Sequence, residues 1–287
     1  MLVLLGDEHM VLPEHLYHYT SIETLALILK HRTLCLNSLL AVDDINEAET
    51  KDMANFGKYV YVSCWTDDSE ESVSLWSMYT PNMHGVRIRL APYPFKTFHY
   101  AKGSFLLSED VETHLNLEKI YSENKGTIVS NQPRLWQVIY DDDKSHLYPK
   151  IRNGTLDDVK KFLQAKDLSE IAPLSVTYSL HDLGKYKSSH WAFQKEWRYI
   201  MFISPMGQQE MIPSIFKQQQ ELIRRLEDPN QSAPYDRFFI DIDEKALSQA
   251  EIVLGPRMSE AEKELVIALL EKHGLGTNWK ESSLRIR

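Results

Sequence analysis

The sequence predicts an α+β fold, on three observations. Runs of β-branched and aromatic residues, such as Tyr59–Val62 and Trp197–Ile203, are separated by amphipathic stretches of helical period. These strand signals precede, separate and follow the helices, without the strict alternation of a doubly wound parallel sheet. No repeat, low-complexity tract or Gly/Ser-rich linker interrupts the 287 residues, so 1–287 reads as one domain.

In chain order, Ser21 caps a helix with Thr24 in its first turn and an apolar face of Ile22, Leu25, Leu27, Ile28 and Leu29. Thr33 to Asn37 reads as a strand, followed by an acidic loop around Asp43 and Asp44 and a helix over Ala48 to Asn55. Gly57 breaks the chain before a strand from Lys58 to Thr66, whose continuous large side chains predict burial on both faces. Ser69 to Tyr79 spaces Val73, Trp76 and Tyr79 as one helix face, and Pro81 stops it. Val86 to Leu90 alternates as the next strand.

Lys102 to Pro173 has the weakest patterning, with a strand at Trp136 to Tyr140 and a helix at Leu156 to Ala165; an insertion carrying target specificity would fall at about 102–173. After Trp191, Glu196 to Ile203 is a strong strand signal ended by Pro205 and Gly207. A polar helix at Ile212 to Leu226, strands at Phe238 to Ile242 and Ile252 to Leu254, and a helix from Glu260 to Lys272 ending at Gly274 complete the chain.

With 43% hydrophobic and 25% charged residues, the composition is that of a globular protein with a sizeable core. The apolar run Met1 to Leu5 is too short for a signal peptide or a membrane span, so a cytoplasmic protein without membrane attachment is expected. Cys35 and Cys64 show neither zinc spacing nor a disulfide framework and read as small buried hydrophobes. A net charge of −9 argues against a generic polyanion binder, though it leaves room for a local basic groove. Acidic clusters at Asp43–Glu49, Asp67–Glu71, Asp141–Asp143 and Asp241–Glu244 read as solvated carboxylates at loops and helix starts. A Gly-rich phosphate loop, a dinucleotide fingerprint, a His-Glu-x-x-His helix and a nucleophile elbow are all missing, and the His residues have no ligand spacing, so no metal is expected.

Three stations place chemistry-bearing residues at element edges. In Tyr17-His18-Tyr19-Thr20, a His on a strand before a capped helix can offer a ring nitrogen to a sugar hydroxyl; the alternative is a buried His satisfied by its neighbours. In Trp76-Ser77-Met78-Tyr79, an aromatic at a helix end can stack on a planar heterocycle, or else fill the core. In Gln194-Lys195-Glu196-Trp197-Arg198-Tyr199, Glu196 enters a run of large β-formers and needs a partner or a purpose. Arg198, on the same strand face, could pair with it structurally.

Six separated segments, in order, resemble the bacterial family known as domain of unknown function 2971: Leu16–Thr20; Leu39–Glu49 with Asp43, Asp44 and Glu47; Val62–Thr66 with Ser63 and Cys64; Leu75-Trp76 with Tyr79, Gly85 and Val86; Trp191 with Glu196-Trp197-Arg198; and Ile252–Pro256. The His, Tyr and Glu stations are also similar to those around nicotinamide in ADP-ribosyltransferases of the diphtheria-toxin and poly(ADP-ribose) polymerase type. Tyr19 stands where those enzymes have Gly, and Trp76 where the polymerase type has a small Ser.

That likeness implies a split mixed β-sheet with flanking helices. It implies NAD as substrate, Glu196, His18 and Tyr79 as catalytic residues, and Tyr17, His18, Tyr19, Thr20, Ser63, Trp65, Trp76, Tyr79 and Arg198 as NAD-binding residues. It further implies a macromolecular acceptor (RNA, DNA or protein), a defence or toxin role, and a neutralising antitoxin partner. NAD glycohydrolysis and a catalytically silent nucleotide-sensing or partner-binding module are the alternatives. Replacing Glu196 by Gln is expected to stop NAD cleavage with little change in stability.

Overall fold

The structure is a computed structural model, which describes residues 2–3, 11–130, 132–171, 176–210 and 214–286. A ten-stranded mixed sheet organises it: β1 (Leu16–Ser21), β2 (Thr33–Ser38), β3 (Val60–Thr66), β4 (Gly85–Leu90), β5 (Thr127–Ile128), β6 (Arg134–Gln137), β7 (Glu196–Ser204), β8 (Arg237–Asp241), β9 (Glu251–Leu254) and β10 (Trp279–Glu281). The strands run in the order β8-β2-β3-β1-β4-β9-β10, with β7 also paired to β3 and carrying β5 and β6 on its far side. The ladders are antiparallel except between β9 and β10.

β3 is where the sheet divides. One edge pairs with β7 from Thr66↔Glu196 to Val60↔Phe202. The other edge is shared, with Tyr61 and Val62 facing β2 while Thr66 alone faces Tyr17 of β1. Ser63, Cys64 and Trp65 lie between these two contacts and have ladder partners on β7 only.

β3 and β7 are buried on both faces, as their unbroken large side chains predict. Tyr61, Trp65, Trp197, Tyr199 and Met201 enter one core with Leu25, Ile28 and Leu29 of the helix α1 (Ile22–His31). Val60, Val62 and Phe202 enter a second core with Phe56, Tyr59 and Tyr178. The Ser21 hydroxyl caps α1 by accepting from the Thr24 amide at 3.2 Å.

Helix α2 (Val73–Tyr79) is shorter than the predicted Ser69–Tyr79, because Ser72 caps it by accepting from the Leu75 amide. No helix forms over 48–55: short 3-10 turns at Ile45–Ala48 and Phe56–Tyr59 flank bends and turns instead. Trp136–Tyr140 is two strands, since Gln137 ends β6 and Ile139–Tyr140 pairs in parallel with Tyr186–Lys187. Within 102–173, β5 and β6 belong to the main sheet. The polar helix runs Ile215–Glu227, and Ile212 lies outside the described residues. Among the described residues, no helix is long and apolar enough to cross a membrane.

Candidate active site

The cleft at the divergence of the sheet is lined by Tyr17, His18 and Tyr19 from β1, Cys64, Trp65 and Thr66 from β3, Leu75 and Tyr79 from α2, and Gln194 and Glu196 at the start of β7. His18, Tyr79 and Glu196, far apart in the chain, therefore share one wall system. A larger hollow, about 270 Å³, lies between residues 114–125 and β8 and contains none of the residues singled out by the sequence.

His18 reaches across the division. Its Nδ1 lies 2.9 Å from the main-chain carbonyl of Cys64, which can only accept, so Nδ1 carries the proton and donates. Nε2 of the neutral ring is then an acceptor. Burial lowers the pKa of His18 from 6.5 by more than this bond raises it, so the ring is neutral at pH 7. The ring also lies 5.0 Å, centroid to centroid, from Trp65.

Tyr79 ends α2, where Thr80 returns its hydroxyl to the Trp76 carbonyl at 2.6 Å. Gly85 allows this helix end to sit close to β1: a Cβ there would lie 2.5 Å from the Thr20 carbonyl and 2.6 Å from the Thr80 Cβ. Gln194 Nε2 donates to the Tyr79 hydroxyl at 2.7 Å, while Gln194 Oε1 accepts from Lys187 at 2.8 Å, which fixes the orientation of the amide. Burial, and then the nearby Asp43 carboxylate, raise the phenol's pKa and keep it neutral.

Glu196 follows a 3-10 turn, Ser189–Gln194, that ends at Lys195 in a left-handed conformation with φ 44°. Such backbone costs a non-glycine residue about 1–2 kcal/mol. The Lys195 carbonyl accepts from the Thr66 hydroxyl at 3.0 Å, and the Glu196 amide donates to the Tyr140 hydroxyl at 2.8 Å.

The Glu196 carboxylate is buried in a cluster of charges. Arg198 grips it with Nε at 2.6 Å and Nη2 at 3.0 Å, and Lys187 donates at 3.2 Å. Glu47 pairs with the same two cations, its Oε1 3.0 Å from Lys187 and its Oε2 against Arg198. Burial would raise the pKa of Glu196, but Arg198 and then Lys187 overcome it and hold the carboxyl down to about 2.

The structural pairing of Glu196 with Arg198 is therefore present, and Gln at 196 cannot be nearly neutral for stability. Removing one member of a buried pair leaves an uncompensated charge, at about 3–5 kcal/mol. Glu47 and Asp44 are likewise buried, not solvated as the acidic run suggested, because the partners of Glu47 come from distant segments. Cys35 and Cys64 are half-buried instead of fully buried, and Cys64 faces the cleft.

Of the residues tied to NAD by resemblance, Tyr17, His18, Tyr19, Trp65 and Tyr79 line the cleft. Thr20 is buried beside it on β1. Ser63 is buried and accepts from Trp65 Nε1 at 3.1 Å. Trp76 is fully buried against the edge of Tyr19, and its Nε1 donates to Glu71 at 3.0 Å, so it supports the wall from behind. Glu71 also accepts from the Ser282 hydroxyl (2.6 Å) and from the Ser283 amide (2.7 Å) and hydroxyl (2.9 Å). Arg198 is fully buried behind Glu196. Sequence reading assigned no site role to Asp43, Glu47, Cys64, Tyr140, Lys187 or Gln194; Glu47 and Asp43 had a signal only in their place within a family-like segment.

Among the described residues, no group of three or more His, Cys, Asp or Glu side chains could hold a metal ion. Comparison of the chain with family models, curated proteins and solved structures gives no match.

Proposed function

We propose that the protein is an NAD-dependent ADP-ribosyltransferase acting on a macromolecule. The observation that carries this is the convergence of His18, Tyr79 and Glu196 on one cleft at the division of the sheet. The cleft chemistry suits a ring-bearing nucleotide: aromatic faces at Tyr17, Tyr19, Trp65 and Tyr79, an imidazole acceptor, and a carboxylate held ionised.

In the reaction, the C–N bond between nicotinamide and ribose breaks, and nicotinamide leaves with the bonding electrons. An oxygen or nitrogen of the acceptor attaches to the anomeric carbon and loses its proton to solvent. Glu196 accepts a ribose hydroxyl and stabilises the positive charge developing on the sugar, the kind of electrostatic term whose loss costs about 10²–10³ in rate. His18 holds a second hydroxyl through Nε2, and Tyr79 stacks on the nicotinamide. With three donors on it, the Glu196 carboxylate has one acceptor site left for a hydroxyl, and Lys187 can yield a second because it keeps Glu47 and Gln194.

Transfer to RNA, DNA or protein in a defence or toxin setting, under the control of a neutralising partner, follows from the family resemblance. The test is incubation with NAD labelled in its adenylate phosphate and with cell lysate. Nicotinamide release with label bound to a macromolecule is expected; release with label remaining free means hydrolysis, and no release under any acceptor overturns the enzyme assignment.

One observation favours a second reading, a catalytically silent nucleotide-binding module: Arg198 and Lys187 already supply three donors to Glu196, taking most of its acceptor sites. NAD binding without nicotinamide release would establish it.

A further inference from the structure

The charge cluster behind the cleft has a member, Glu47, that is not among the residues lining the cleft. Glu47 sits in the 3-10 turn Ile45–Ala48, capped by Asp44, whose carboxylate accepts from the Asn46 amide at 3.1 Å. Its carboxylate meets Lys187 at 3.0 Å and Arg198 at close range, the two cations that also hold Glu196. All four side chains are 5% exposed or less, so water screens them little. The ring Glu196–Arg198–Glu47–Lys187 carries two positive and two negative charges, and its neutrality depends on Glu47.

We infer that Glu47 is a positioning residue for the cleavage proposed above, acting through Arg198 and Lys187 to keep the wall that bears Glu196 free of net positive charge. The inference rests on that cleavage. Without Glu47, two cations would face one carboxylate, and a surplus positive charge would stand beside a sugar that must itself become positive. That surplus opposes the transition state more than the ground state, because the positive charge of the nicotinamide ring moves onto the sugar as the bond breaks. The same charge would also tighten both cations onto Glu196 and make release of Lys187 harder.

The test is steady-state nicotinamide release by wild type, Glu47→Gln, Lys187→Met and the double variant, with folding checked by circular dichroism. The cluster charges are respectively zero, plus one, minus one and zero. Glu47→Gln should lower kcat by about 10²-fold without raising KM for NAD. The double variant, neutral again, should regain at least about tenfold of that kcat per folded molecule, whereas a merely structural role would change the folded fraction and leave kcat per folded molecule where it was. If Glu47→Gln alone does not fold, the double variant is compared with Lys187→Met: loss of Glu47 raises the cluster charge from minus one to zero and should lower kcat at least about threefold, and equal kcat in the two overturns the inference. Unchanged kcat in Glu47→Gln, or no recovery in the double variant, overturns the inference while leaving the cleavage standing. Wild-type protein that releases no nicotinamide overturns both.

Discussion

The imidazole of His18 donates to the main-chain carbonyl of Cys64, 2.9 Å away, at the point where β1 and β2 part company along β3. A side chain there takes up a carbonyl where the ladder on that edge has lapsed. The bond also fixes the tautomer that leaves Nε2 free to accept.

Replacing His18 by Phe keeps a ring against Trp65 but leaves the Cys64 carbonyl without this donor. A loss of about 1–3 kcal/mol is expected in urea denaturation; a change within error would mean that the bond contributes nothing.

The pH dependence has a definite sign. The folded-state pKa of His18 lies below 6.5, so the unfolded chain binds the proton more readily. The contribution of His18 is full above about pH 6.5 and declines as pH falls below it. Nitrogen-15 NMR should find His18 as the neutral Nδ1–H form at pH 6.5, and an imidazolium there would contradict this.

Glu196→Gln should lower stability by about 3–5 kcal/mol at pH 7, because Arg198 and Lys187 are left with Glu47 alone. The folded carboxyl titrates at about 2 against an ordinary 4.5, so its contribution is full above pH 4.5 and lost as pH falls toward 2. Urea midpoints of wild type and variant should converge over that interval; a constant difference would show that ionisation of Glu196 is not the source.

Gly57 sits against the turn that carries Glu47: a Cβ there would meet the Ala48 Cβ at 2.8 Å and its Cα at 3.1 Å. Gly57→Ala should cost about 1–3 kcal/mol through overpacking, and Ala48→Gly in that background should restore part of it. The comparison of melting temperatures fails the proposal if the second change only adds to the loss.

Tyr79 separates ring from hydroxyl. If its ring stacks on nicotinamide, Tyr79→Phe should keep NAD affinity within about threefold, while Tyr79→Ala should lose at least about tenfold. Calorimetric titration giving equal losses for both would transfer the role to the hydroxyl and its Gln194 partner.

The long central strands were legible because β3 and β7 are continuous runs of large β-formers, a pattern that burial on both faces produces. α1 was legible through its cap, Ser21, and the helix Glu260–Lys272 through the Gly274 that follows it, while its own cap, Ser259, was seen only in the structure. The turns between Asp43 and Tyr59 were not, since Glu47 and Lys58 are fixed by distant partners, Lys187 and Arg198 in one case and the Gln231 carbonyl in the other. The same gap hid Lys187: nothing in Tyr186–Lys187 announces a buried ammonium shared by two carboxylates and a glutamine. Tyr79 and Glu196 each mark an element boundary, which local sequence does encode, whereas His18 lies inside β1 and stood out only by its residue type ahead of a capped helix.

Glu71 gathers donors from Trp76, on the helix that presents Tyr79, and from Ser282 and Ser283, just beyond β10. One carboxylate thus ties the helix beside the cleft to the segment that follows β10, the strand at one edge of the sheet, so tension applied behind Ser283 would be felt at that helix. Anchoring the molecule to a surface or a fusion partner through residues beyond Ser283 would load the knot directly, so immobilised assays are better attached elsewhere.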